Sequence, residues 1–100
     1  MNYPRELCVV AERVIWFEGA EQALQYPKRF LAYLMTFGTL EEILIAKKYF
    51  SDQDFEEVLL DPPGGIFDAR SWTYWNAVYN HNPPPPLPRR LIPHRDSTVP

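Results

Sequence analysis

The prolines divide this chain before any other feature does. Eleven occur in 100 residues, and seven of them lie between Pro83 and Pro100. Proline has no backbone N–H, and its ring pushes the preceding residue out of the helical region, so a dense proline run cannot continue a helix or a central strand. Regular structure is therefore expected in residues 1–80. Residues 81–100 form a proline-rich tail, either disordered or packed on the domain. The remaining prolines, Pro4, Pro27, Pro62 and Pro63, stand where helices start or stop.

Between those marks the apolar spacing is helical almost throughout. Leu7, Val10, Ala11 and Val14 repeat at i, i+3, i+4 and i+7, predicting a helix from about Pro4 to Trp16. A short turn of helix is expected over Ala20 to Gln25. A third helix starts at Pro27, with Phe30, Leu31, Leu34 and Met35 as its stripe and Gly38 in the left-handed position that commonly follows a helix. Thr39-Leu-Glu-Glu42 reads as a capping box. The helix it opens is expected to turn Leu40, Ile43, Leu44 and the Tyr49/Phe50 pair inward. Ser51 starts a fifth helix, with Asp52 and Asp54 complementing its macrodipole and Phe50/Phe55 at hydrophobic-staple spacing. Asp61-Pro62-Pro63-Gly64-Gly65 stops it. Asp68 is a good N-cap for a last helix, with a second staple in Phe67/Trp72 and a common face for Trp72, Trp75 and Tyr79. No segment alternates as a strand would. The expectation is an all-α fold, a compact bundle of five or six short helices with a proline-rich C-terminal tail.

Charge narrows the partners. Seven Lys/Arg against twelve Asp/Glu through Asn80 give −5, whereas Arg89, Arg90 and Arg95 against Asp96 give +2 beyond it. An acidic body repels phosphate backbones and argues against nucleic-acid binding. No apolar run approaches the ~18 residues that span a bilayer, and Arg5, Glu6, Glu12 and Arg13 interrupt any signal-peptide core. With a single cysteine, Cys8, the expectation is a cytoplasmic protein without a disulfide.

The chemistry-bearing residues do not assemble into a reaction. His81 and His94 lie in or beside the tail, a poor scaffold for a base that must be held within hydrogen-bond reach. Cys8 lies near an apolar stripe, and Ser51 and Ser71 belong to helix starts. Asp52, Asp54, Glu56, Glu57 and Asp61 lack the glycine turn of a calcium loop and lie on a helix, so no metal is assigned. Gly64-Gly65 lacks the spacing of a phosphate cradle, so no cofactor is assigned either. The expectation is a non-enzymatic protein.

What remains is binding. The pair of helices over residues 39–60 has the outline of a helix-turn-helix, and a DNA-binding regulator is the alternative function. Its second helix, however, would present Asp52, Asp54, Glu56 and Glu57 to DNA, and helical-hairpin packing is the preferred reading. Trp16, Phe17, Trp72, Tyr74, Trp75 and Tyr79 could stack bases, but the cationic groove such platforms use is missing, so core packing is preferred. Tyr74, opposite Trp72 and Trp75, is the interface candidate. Pro85, Pro88 and Arg90 fit a PxxPxR pattern of the kind that docks in aromatic grooves. A tail laid over this domain's own aromatic residues is the slightly preferred alternative. The residues assigned to partner contact are Asp54, Glu57, Tyr74, Pro85, Pro88 and Arg90. Replacing Asp54 and Glu57 by Lys is expected to weaken a complex and spare the fold.

RVIWFE (13–18), FLAYLMTFGTLEEILIAKKYFSDQDF (30–55), PPGGIFDARSWTYWN (62–76) and PPPPLPRR resemble a set of small uncharacterised bacterial helical proteins. More loosely, over residues 37–76, the Gly-Thr-Leu-Glu helix start, the Tyr followed by a Ser cap and the Ser-x-x-x-Trp helix resemble small helical proteins encoded beside nucleotidyltransferases of the abortive-infection toxin type. The looser resemblance carries no catalytic signature. It implies an accessory or antitoxin-like role, with a nucleotidyltransferase toxin as the protein partner.

Overall fold

The computed structural model describes residues 3–87. They form six helices and no strand: α1 (Arg5–Val14), α2 (Ala20–Leu24), α3 (Pro27–Phe37), α4 (Leu40–Ala46), α5 (Asp52–Leu60) and α6 (Ala69–Val78). The fold is all-α.

The helix starts follow local chemistry. Thr39 Oγ1 accepts the Glu42 N–H at 3.2 Å while the Glu42 carboxylate accepts the Thr39 N–H at 2.9 Å. Ser51 and Asp54 repeat this reciprocal pair on α5, with aspartate in the usual glutamate position. Asp68 accepts from the Ser71 N–H at 2.7 Å and starts α6. Each pair satisfies N–H groups that the first helical turn leaves without partners. At the far end of α6, Asn80 takes a left-handed φ of 66° and ends the helix.

α3 is the hub, touching the other five helices. Its buried residues are Phe30, Leu31, Ala32, Leu34 and Met35, which wrap well beyond a single stripe. A helix apolar over so much of its circumference has to be covered on several sides. α1 brings Leu7, Val10, Ala11 and Val14 to it, α5 brings Phe55, Val58 and Leu59, and α6 brings Trp72 and Trp75. The Trp75 indole N–H donates to the Met35 carbonyl at 2.8 Å inside this core, meeting the hydrogen-bond need of a buried indole.

Four expectations are corrected. Gly38 is extended, with φ −79° and ψ 156°, and not left-handed. A Cβ at this position would lie 2.6 Å from both the carbonyl O and Cδ1 of Leu34, so glycine is there for space. Leu40, Leu44 and Tyr49 face solvent, Leu40 at 74% exposure. α4 packs through Ile43 and Ala46, and at about 100° per residue Leu44 is carried round from that face. α4 and α5 form no hairpin: α4 packs on α1 and α3, and α5 packs on α3. Phe50, in the turn between them, lies 6.0 Å from the Phe30 ring, while Phe55 stacks on Trp75 at the same distance. Trp16 and Phe17, finally, are not core residues.

Candidate protein-binding surface

α1 ends at Val14, so Trp16 and Phe17 fall in the turn before α2, beyond the reach of the buried stripe. Trp16 is 79% exposed, the most exposed large apolar side chain among the described residues, and Phe17 is 53% exposed. Their rings meet edge to face at 5.6 Å. Phe17 meets Tyr33 at 6.0 Å, and Tyr33 stacks on Phe37 at 6.1 Å. Four rings thus form a continuous strip across the junction of the α1 end with α3. Tyr33 and Phe37 are i, i+4 neighbours on one flank of α3, Tyr33 half-buried against the core and Phe37 exposed.

Ion pairs border the strip. The Arg13 guanidinium forks onto the Glu42 carboxylate and donates a further hydrogen bond to the Phe37 carbonyl at 2.8 Å. Arg13 therefore ties α1 to α4 and satisfies a carbonyl at the C-terminus of α3. Its hydrogen bonds hold the Glu42 carboxyl below the usual carboxylate range. On the other side Arg29 pairs with Glu18 and lies 6.0 Å over the Tyr33 ring. Aromatic rings exposed at the centre with charged groups around them have the anatomy of a protein interface.

Next to the strip in the chain, an open groove of about 350 Å³ runs from the Gly38 corner to α6. Leu40 and Ile43 line one wall, and Arg70, Tyr74 and Trp75 the other. Tyr74 is 59% exposed, with its ring edge-on to the buried Trp75 at 5.2 Å.

The other sequence-predicted contact residues are dispersed. Asp54 and Glu57 share a groove between α5 and the start of α3. The Asp54 carboxylate is already engaged in the α5 cap, so replacing it by Lys removes the cap as well as a surface charge. Only Glu57 permits a purely electrostatic test. The neighbouring carboxylates are also partnered: Asp52 with Lys47 and Tyr79, Glu56 with His81, and Asp61 with Lys28. The acidic segment is a set of intramolecular ties more than an open charged surface. The Pro85 carbonyl accepts a hydrogen bond from this domain's own Trp72. Pro88 and Arg90 lie outside the described residues.

Trp16, Phe17, Tyr33, Phe37 and Leu40 were not assigned to contact from the sequence. A signal was present in the 33/37 pair, a second apolar spacing out of register with the 30/31/34/35 stripe. Among the described residues, no group of three or more metal-ligating side chains converges, and no helix is long and apolar enough to cross a membrane. No family model, curated protein or solved structure matches this chain.

Proposed function

We propose that this protein is a non-enzymatic helical protein-binding module, and that it serves as an accessory or antitoxin-like partner of a nucleotidyltransferase. The observation that supports binding is the strip Trp16–Phe17–Tyr33–Phe37. Exposed aromatic side chains clustered among charged groups have the composition of surfaces that another protein covers. Trp and Tyr also carry disproportionate binding energy at interface centres. The nucleotidyltransferase partner rests on the resemblance of residues 37–76 alone. The exposed side of α5, with Asp52, Gln53 and Glu57, offers DNA phosphates no positive charge, which weighs against the regulator alternative.

The test is affinity capture from bacterial lysate with the tagged chain and its Trp16→Ser/Phe37→Ser variant, read by mass spectrometry. One stoichiometric protein retained by the first chain and lost by the second is the expected result, with circular dichroism showing both folded. A nucleotidyltransferase in that position supports the specific partner. Capture that is equal for both chains removes the aromatic strip as the binding surface.

A further inference from the structure

The chain leaving α6 is tied down at three points. At its start, the His81 N–H donates to the Asn76 carbonyl at 2.7 Å. The His81 ring nitrogens lie 3.0 Å from Asn76 Oδ1 and 2.9 Å from Glu56 Oε2. Four residues on, the Trp72 indole N–H donates to the Pro85 carbonyl at 2.7 Å. Beyond that, Leu87 packs against the core. Trp72 is buried in this arrangement, its ring edge-on to Phe67 at 5.3 Å.

The accepting carbonyl belongs to the Pro85–Pro86 bond, a tertiary amide with no N–H of its own. Such a segment offers acceptors without competing donors, and its fixed φ angles reduce the ordering entropy lost when it docks. An aromatic surface with an indole N–H aimed at a prolyl carbonyl is the chemistry by which proline-rich peptides are recognised. We propose that the Trp72 face of the domain is a binding site for proline-rich peptides, occupied in this chain by its own Pro83–Leu87 segment. When that segment lifts, the site takes a Pro-Pro-Leu sequence from another protein. The prolyl carbonyl sits on the Trp72 N–H, and the leucine follows two residues later against the core. This site is separate from the Trp16–Phe37 strip, and either can fail without the other.

The test uses the full chain. A variant carrying Pro84→Gly, Pro85→Ser, Pro86→Gly and Leu87→Ser is titrated with the blocked hexapeptide Asn82–Leu87. The Trp72 indole N–H, assigned through Trp72→Phe, is followed by NMR. The expected result is a saturable shift at Trp72 with Trp16 unmoved. The affinity should be about tenfold or more above that of the unaltered chain, because an intramolecular occupant keeps the binding-competent fraction small. A folded variant whose Trp72 resonance ignores the peptide overturns the proposal, as does equal affinity in the two chains. If the quadruple variant fails to fold, the same titration on Leu87→Ala decides. That change removes only the distal contact of the occupant, so it should bind the peptide more tightly than the unaltered chain, and equal affinity in those two chains overturns the proposal.

Discussion

Replacing Gly38 by alanine separates two reasons for a glycine at the end of α3. Backbone conformation alone would welcome the change. The φ of −79° and ψ of 156° are ordinary for any residue, and alanine at a compatible site stabilises by about 0.4–1 kcal/mol through the unfolded chain. Packing opposes it. The new Cβ would stand 2.6 Å from the Leu34 carbonyl O and 2.6 Å from Leu34 Cδ1. Neither atom can easily withdraw, because that carbonyl accepts the Gly38 N–H at 2.7 Å and the Leu34 side chain is fully buried. Overpacking of this kind costs about 1–3 kcal/mol. The repulsive effect wins, and the net loss is about 0.5–2 kcal/mol. Thermal unfolding followed by circular dichroism reads it at roughly 4–8 °C for each kcal/mol in a domain of this size. Gly38→Asn is a second arm. Asparagine tolerates the left-handed region, so a left-handed Gly38 would make it milder than alanine, whereas an extended Gly38 gives it no advantage. An alanine variant as stable as the parent would refute the steric argument.

Other outcomes follow from buried polar groups and caps. Asn76 is fully buried, donating to the Trp72 carbonyl at 2.8 Å while its Oδ1 faces His81. Asn76→Ala should lose about 2–4 kcal/mol, from unmet partners plus a small cavity, measured as a lower urea midpoint at unchanged slope. The Ser71 N–H holds the Asp68 carboxyl below its ordinary range. Its stabilisation is therefore complete above the unfolded-state pKa and fades as pH falls through the depressed one. Asp68→Ala should cost about 1 kcal/mol at neutral pH. The gap between the two chains should close from about pH 5 to about pH 2, and a gap independent of pH would contradict the cap. Burial first, and then the Asp52 carboxylate to which it donates, push the Tyr79 phenol well above its usual range. In an alkaline absorbance titration Tyr79→Phe should remove one of the latest-ionising phenols. Loss of an early one would place Tyr79 in solvent.

Local chemistry made much of this fold legible. Thr39, Ser51 and Asp68 start helices because a side-chain oxygen can meet an orphan N–H within its own turn, a fact contained in four consecutive residues. The stripes of α1 and α3 could likewise be read from spacing, because those helices bury enough residues to average out errors of register. What failed was rotation and pairing. α4 has seven residues, too few for its apolar positions to declare one face, and Arg13 from a distant helix grips its Glu42. Leu40 and Leu44 consequently point outward. The aromatic strip was hidden for a related reason: spacing within one helix cannot show that Trp16 and Phe17, past the end of α1, come to rest beside Tyr33 and Phe37 of α3. Nor could it show that Trp72 closes on the Pro85 carbonyl thirteen residues further on. The sequence by itself determined where helices begin and that they bury a shared core, since a cap depends on neighbours in the chain, whereas α1 and α4 stop at Val14 and Ala46, short of what spacing predicted. Only the tertiary structure decided which apolar side chains the core leaves uncovered, because the space inside is limited and helices packed around α3 compete to fill it.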